Sequence, residues 1–347
     1  MRTRWLWLFL LGAVVVAAPA AAQDGGTLDI YFVDVEGGAA TLMIAPSGES
    51  MLVDTGHPGT VDAERIAAAA ADAGLERIDY LVTTHYHLDH VGGAPAVAAR
   101  LPVRNFVDHG LPTTTELDSN QPLYDTYVET RKSGNHLPVK AGDTIPVAGL
   151  DVWVVSSGEQ YITSPLEGAA GEPNPLCASF EEKEETYISG GENGRSVGVV
   201  VRFGDFRTIA LGDLTWNREY ELVCPNNLLG TVDLYLTTHH GLSISGPPAI
   251  VHALRPRVAV MNNGPNKGGH PEAWRTVRSS PGLEDFWQGH YTVEAGDEHN
   301  APEQFIANFD ESREGCKAHW IKVSAAADGS FTVTNGRNGF SKTYAGS

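Results

Sequence analysis

A dense group of potential metal ligands lies early in the chain, where the sequence reads THYHLDH. The six residues before it, IDYLVT, are mostly apolar and predict a buried strand, and two glycines and an alanine-rich run follow. His85 and His87 alternate along an extended segment and therefore point to one side, whereas Asp89 and His90 lie where the chain turns into a helix. Imidazole and carboxylate groups together favour Zn²⁺, with Mn or Fe as alternatives, and this arrangement could serve one or two ions.

Three further predicted strands end in residues of the same kinds. The strands predicted at 51–53, 207–211 and 232–237 are followed by Asp54, by Gly212-Asp213 and by Thr238-His239-His240-Gly241, respectively. We expect the residues at these strand ends to lie together at one rim of the sheet.

The HxHxDH pattern of residues 85–90, followed by these segments in this order, resembles the metallo-β-lactamase superfamily. The likeness covers roughly residues 27 to 290 and is greatest to the branch related to the competence protein ComEC. It implies an α/β protein with the four-layer αββα sandwich of that superfamily. The pattern is specific for the fold and poorly specific for the substrate.

The resemblance also implies roles for individual residues. It places Asp54 behind the metal-binding turn as a carboxylate that orients it. It makes Asp213 the carboxylate that bridges two metals, in a site built from distant strand ends on which His85, His87, His90, Asp213 and His239 are expected to converge. The His-His-Gly step resembles the last ligand position of the ComEC-like branch, where His239 is favoured as the ligand because it is nearer the strand end. His240 is the alternative ligand or a proton donor.

One ligand of the superfamily pattern has no counterpart here. Most two-metal members place another histidine between the HxHxDH segment and the bridging aspartate, but no histidine lies between His136 and His239. The site that holds the first two histidines is then expected to be completed by Asp213 and water and to bind its metal weakly, or the protein works with one metal. His109, at the end of a predicted strand, is a candidate replacement.

The expected chemistry is hydrolysis by a metal-activated hydroxide. Asp89 would bind metal and orient the hydroxide, and His270 or His240 would protonate the leaving group. His270 enters because the related branch has a Gly-His-Pro step at this place. The substrate is expected to be a small phosphodiester, ester or lactone. The alternatives are a β-lactamase-like amide hydrolase, a metal-binding module without activity, and a two-iron redox protein, which ranks last.

The start of the chain predicts export. Residues 1–22 combine two arginines, an apolar run and a small-residue cleavage site, which is the pattern of a signal peptide. The mature protein is then expected to be secreted or periplasmic, with no membrane attachment; an uncleaved anchor is the alternative. The formal net charge of -19 argues against nucleic acid as a partner and leaves a small-molecule substrate.

The remainder, residues 23–347, is expected to form a single domain. Residues 156–194, rich in Gly, Pro, Glu and Ser, predict a long insertion loop, and residues 318–334 predict a hairpin that turns at Asp328-Gly329. Of the three cysteines, Cys177 and Cys224 are favoured as a disulfide pair, which would leave Cys316 free.

Overall fold

The computed structural model describes residues 26–112, 117–184, 191–313 and 315–346, with residues 117–120 described by their backbone. The predicted signal peptide lies outside the described residues. Within these ranges the strands are β1 Leu28–Phe32, β2 Thr41–Ile44, β3 Ser50–Val53, β4 Ile78–Val82, β5 Val103–Asp108, β6 Asn135–Pro138, β7 Asp151–Ser157, β8 Gln160–Tyr161, β9 Gly198–Phe203, β10 Phe206–Ala210, β11 Leu234–Leu236, β12 Val258–Met261, β13 Asp285–His290, β14 Ile306–Asn308, β15 Ile321–Ala325, β16 Phe331–Asn335 and β17 Ser341–Tyr344.

These strands form two mixed sheets. The order in the first sheet is β17-β16-β15-β1-β2-β3-β4-β5-β6, and the order in the second is β14-β13-β12-β11-β10-β9-β7-β8. The described helices are α1 Val61–Asp72, α2 Leu88–Val91, α3 Ala94–Ala98, α4 Leu117–Arg131, α5 Trp216–Tyr220, α6 Pro248–Leu254 and α7 Pro271–Arg278. None of the helices within the described ranges has both the length and the apolar character needed to cross a bilayer.

Three apolar layers hold the sheets and helices together. Side chains such as Val53 and Val82 of the first sheet meet Val199 and Val258 of the second in a central core. A second cluster packs the outer face of the first sheet against α1, α3 and α4. A third packs the outer face of the second sheet against α6 and α7. The predicted αββα sandwich is therefore confirmed.

Strand direction explains why the potential ligands meet. In the first sheet β3 and β4 run parallel, and in the second sheet β10, β11 and β12 run parallel. The carboxyl ends of parallel strands lie at one edge of their sheet, which is where ligand-binding residues collect in α/β folds. The turns after β3, β4, β10 and β11 carry the residues from Asp54 to His240 and all open at the same rim.

Two regions are more ordered than the sequence pattern indicated. Segment 156–194 contains the short strand β8 and 3₁₀ turns at Pro175–Ser179 and Asn193–Arg195, while its residues 185–190 lie outside the described ranges. The C-terminal hairpin is present as β15 and β16, and β17 extends it to a third strand. β17 was missed because its Ser-Lys-Thr-Tyr sequence is mostly polar. Cys177 and Cys224 form the predicted disulfide, and Cys316 is free.

Candidate metal centre

Four side chains converge at the rim between the two sheets. One potential ligand atom each from Asp89, His90, Asp213 and His240 lies within 4.8 Å of the others, and we call this group the quartet. His90 Nε2 is 3.1 Å from Asp213 Oδ2 and 3.2 Å from His240 Nε2. His240 Nε2 in turn is 3.4 Å from an oxygen of Asp89 and 3.4 Å from Asp213 Oδ1. Two imidazoles and two carboxylates at these distances form a set that suits a divalent cation.

Asp54 fixes the orientation of His90. Its Oδ2 is 2.7 Å from His90 Nδ1, and its two oxygens also accept the backbone N–H and hydroxyl of Thr84. Because a carboxylate only accepts, a hydrogen lies on Nδ1 of His90, and Nε2 is the ring nitrogen that faces the quartet. This carboxylate–histidine arrangement is the usual support of a metal-binding imidazole. Asp54 has a φ of 62°, a left-handed backbone conformation that is uncommon for a residue other than glycine.

The turn that carries Asp213 depends on the glycine before it. Gly212 has a φ of +58°, and a Cβ at this position would lie 2.8 Å from Cβ of Thr84. Only glycine therefore allows the end of β10 to approach the turn after β4 this closely. The close approach brings Asp213 against histidines that come from the other sheet.

His85 and His87 lie beside the quartet rather than in it. His85 Nε2 is 3.0 Å from His87 Nδ1 and 4.0 Å from Asp213 Oδ2. Asp213 therefore faces two groups of imidazoles, with His90 and His240 on one side and the His85–His87 pair on the other.

The side chains of His239 and His240 make different contacts although the two residues are consecutive. Both have left-handed backbone conformations, with φ values of 55° and 54°. Two such residues in succession are strained, which is typical of a site held in place by its surroundings. His240 joins the quartet, whereas His239 Nε2 contacts Asp213 Oδ2 at 3.2 Å. The sequence favoured His239 for the place beside Asp89 and His90, and the structure puts His240 there.

Within the metal centre, burial and the charges of neighbouring side chains shift the pKa values of Asp213 and His90 in opposite directions. Burial raises the pKa of Asp213, but the facing imidazoles of His239, His90 and His240 outweigh it and hold the pKa well below the usual range. Burial disfavours a charged His90, but the carboxylates around it raise its pKa well above the usual value. The same carboxylates favour a bound cation, so a metal ion would compete with the proton for His90.

For His85 and His239, burial is the largest influence on the pKa. It lowers the pKa of His85 well below the usual value and lowers the pKa of His239 to about 4. Both imidazoles are therefore neutral at physiological pH, which is the form that binds metal.

The other two predicted histidines lie away from this cluster. His109 Nε2 is 2.8 Å from Glu192 Oε1, and its ring packs on Tyr86 at a centroid distance of 4.6 Å. His270 is exposed and contacts the Ser243 hydroxyl at 3.2 Å. Neither imidazole is in a described contact with the quartet.

Sequence reasoning missed Lys267. It lies in the loop after β12, and its ammonium group contacts the Asp89 carboxylate. A lone lysine in a Gly-rich loop carries no signal in the sequence, because its approach to Asp89 depends on how the two sheets pack. Ser245, which contacts His239 Nδ1 at 3.0 Å, was missed for the same reason.

A second group of potential ligands consists of Asp34, His290 and Cys316. His290 Nε2 is 2.8 Å from Asp34 Oδ1, and the thiol of Cys316 donates to Asp34 Oδ2 at 3.2 Å. Burial, helped by Asp34, raises the pKa of Cys316 to about 12, so the thiol keeps its proton. Arg65 lies 3.7 Å from the same carboxylate. Asp34 thus has cationic and hydrogen-bonding partners without a metal, and we assign the group a structural role.

The protein family and the known proteins that this chain resembles agree with the arrangement of the quartet. Residues 34–245, more than half of the chain, match the family model described as the metallo-beta-lactamase superfamily. A hydroxyacylglutathione hydrolase of Stenotrophomonas maltophilia is 41% identical over 78 residues, which cover 22% of this chain and 28% of that relative. A UPF0173 metal-dependent hydrolase of Cupriavidus taiwanensis is 27% identical over 295 residues, 77% of this chain and 89% of the relative.

Among solved structures, the metallo-beta-lactamase fold protein YhfI of Bacillus subtilis is similar with a TM-score of 0.47 and 8% sequence identity. That match covers 76% of this chain and 96% of YhfI. The chain therefore spans most of the length of YhfI and of the Cupriavidus relative, but less than a third of the Stenotrophomonas one.

Proposed function

The chain belongs to the metallo-beta-lactamase superfamily, and from this premise we propose that it is a metal-dependent hydrolase. The observation that carries the proposal is the quartet, in which two carboxylates and two imidazoles point their ligand atoms at one small volume. Relatives named metal-dependent hydrolase and hydroxyacylglutathione hydrolase support the same class of reaction. The Thr-His-His-Gly turn supports a place near the ComEC-like branch.

The quartet residues would hold the cation, for which we propose Zn²⁺, with Mn or Fe as alternatives. A divalent cation bound here supplies Lewis acidity and a water molecule of lowered pKa. The side chains of the protein position the ligand atoms of this site. Asp54 holds a hydrogen of His90 on Nδ1, so that Nε2 is the atom directed at the quartet, and Asp213 offers its two oxygens to different imidazoles. His270, exposed near the His-His-Gly turn, remains our candidate for protonating the leaving group.

We propose an anionic substrate, with a phosphodiester preferred over a neutral ester or lactone. The support is Lys267, whose half-exposed ammonium group contacts Asp89 at the edge of the quartet. A substrate whose reacting group is placed at the quartet brings its non-bridging oxygens within reach of this cation. A phosphodiester carries a full negative charge on those oxygens, so Lys267 would stabilise it more than a neutral carbonyl group.

A substrate panel tests this proposal. We expect Lys267→Ala to lower kcat/KM for bis-p-nitrophenyl phosphate by roughly 10- to 100-fold, the range for a lost charge-assisted contact. The rate with p-nitrophenyl acetate should change much less. Lys132→Ala is the matched control, because Lys132 is an exposed lysine just after α4 that pairs with Glu129.

The same panel separates the alternatives when a lactone and nitrocefin are added. Faster turnover of nitrocefin than of the phosphodiester would favour the amide hydrolase. Metal binding without turnover of any substrate would favour a module that has lost activity. An equal loss for ester and phosphodiester in Lys267→Ala would refute the role of that lysine in substrate choice.

We also propose that the protein acts outside the cytoplasm as a single domain of residues 23–347. The pattern of residues 1–22 and the Cys177–Cys224 disulfide support this, because disulfides persist mainly in oxidising compartments. We expect the full chain, expressed in a Gram-negative host, to appear in the periplasm or medium with Gln23 as its first residue. N-terminal sequencing of each fraction checks this, and an intact start in the cytoplasmic fraction alone would contradict it.

A further inference from the structure

We propose that His239 completes a second metal site with His85, His87 and Asp213, and so takes the place of the further histidine ligand that most two-metal members of the superfamily carry before the bridging aspartate. The inference rests on the proposed metal-dependent function. It concerns how many ions the centre holds and which residue holds the additional one.

Hydrogen-bond direction determines which nitrogen of His239 carries the hydrogen. The hydroxyl of Ser245 donates to the Leu214 carbonyl at 2.8 Å. A hydroxyl has one hydrogen, so toward His239 Nδ1, at 3.0 Å, it accepts. The hydrogen of the neutral imidazole is then on Nδ1. The lone pair of Nε2 is directed at Asp213 Oδ2, 3.2 Å away.

The same reasoning applies to His85. The hydroxyl of Thr84 donates to Asp54 Oδ2 at 2.7 Å and therefore accepts from His85 Nδ1 at 3.0 Å. The Nε2 atom of His85 is left with a lone pair, and it lies 3.0 Å from His87 Nδ1 and 4.0 Å from Asp213 Oδ2. The hydroxyl of Ser245 thus orients His239, and the hydroxyl of Thr84 orients His85, so that Nε2 of each imidazole is available to a metal.

These orientations create a conflict that a cation resolves. The lone pair of His239 Nε2 faces one oxygen of an ionised carboxylate at 3.2 Å, and Nε2 of His85 lies 4.0 Å from the same oxygen, an arrangement that a cation between these atoms would stabilise. Ligand atoms around a tetrahedral zinc ion lie about 3.4 Å apart, given bond lengths of about 2.1 Å. The contacts of Asp213 Oδ2 with His239 and His85, at 3.2 and 4.0 Å, fall around this value. The amide of Asn193 approaches His239 Nε2 only at 3.5 Å, the outer limit of a hydrogen bond.

The other candidate for the missing ligand is excluded by its contacts. His109 Nε2 lies against Glu192, and its ring packs on Tyr86 on the side of the sheet that carries α4. Reaching the His85–His87 pair would require breaking the buried contact between His109 and Glu192. His239 needs no movement to face Asp213.

Metal stoichiometry tests the inference without relying on activity. The purified full chain is stripped with a chelator, titrated with Zn²⁺ and analysed by calorimetry and by elemental analysis after gel filtration. We expect two equivalents for the parent and one for His239→Gln. With Mn²⁺, the parent should give the exchange-coupled electron paramagnetic resonance spectrum of two neighbouring ions, and His239→Gln the spectrum of an isolated ion.

Two further variants keep the test decisive. Ser245→Ala removes the acceptor that orients His239, so the second equivalent should bind about 10- to 100-fold more weakly, the usual cost of losing such a partner. His109→Gln should retain both equivalents. Circular dichroism confirms that each variant is folded before its stoichiometry is counted.

The outcomes separate this inference from the proposed function. Two equivalents in His239→Gln, or the loss of one equivalent in His109→Gln, would overturn the role of His239. A parent that binds one equivalent and hydrolyses its substrate would overturn the second site and leave the hydrolase proposal intact. A parent that binds no metal would overturn both.

Discussion

Replacing Asp213 with asparagine is expected to remove bound metal and hydrolysis together. Asp213 is buried; its Oδ1 contacts His240, and its Oδ2 contacts His90 and His239. Asparagine keeps the shape but removes the charge that attracts a cation. The loss in kcat should be at least about 10³-fold, because outer partners of metal ligands alone cost 10- to 100-fold. Elemental analysis and the rate with bis-p-nitrophenyl phosphate measure the two effects.

Asp205→Asn is the matched control for this substitution. Asp205 lies in the turn between β9 and β10, the hairpin whose second strand leads to Asp213, but its side chain is exposed. This variant should keep the metal content and the rate of the parent. Metal content and activity near parental levels in Asp213→Asn would contradict the assignment of the quartet as the catalytic centre.

The second large effect is expected in the pH dependence of stability, through Glu219. This residue of α5 is fully buried and accepts the backbone N–H of Gly246. Burial raises its pKa from 4.5 to about 8. Between these values the folded protein keeps a proton that the unfolded chain has released, so the free energy of unfolding falls as the pH rises. From about pH 5 to pH 7.5 the fall due to this group amounts to roughly 3 kcal/mol.

Glu219→Gln removes this titration while keeping the size of the side chain and an oxygen for Gly246. We expect the variant to gain stability relative to the parent as the pH rises from about 5 to 8 and to gain little at the acidic end. Urea unfolding at a series of pH values measures the difference. Glu221→Gln, two residues away and exposed, should follow the parent. Parallel pH profiles for the parent and Glu219→Gln would show that Glu219 does not titrate in this range.

Much of the fold was predictable because its signals are local. Buried strands such as β4 are mostly apolar runs, and α1 is an alanine-rich segment that ends before Gly74. The strand ends could also be located, since polar residues interrupt the apolar runs there. These features together led to the sandwich and to most of the residues at its rim.

What could not be predicted depends on packing between distant segments. The sequence does not show that His239 and His240 both adopt left-handed conformations, so it could not tell which of them faces Asp89. The contact of Lys267 with Asp89 joins a loop residue to a residue of α2 that is 178 positions away in the chain. The disulfide, by contrast, was inferred correctly from the loop-like surroundings of its cysteines.

The adjacency of His239 and His240 has a consequence for how the centre can vary. If each imidazole serves a different ion, one peptide unit, about 3.8 Å between Cα atoms, ties the two ions to a common support. Stretching or shortening that link would displace both ions at once. The distance between the two ions is then restricted by the peptide unit that joins their ligands. Changes in substrate preference would have to come from the surrounding loops.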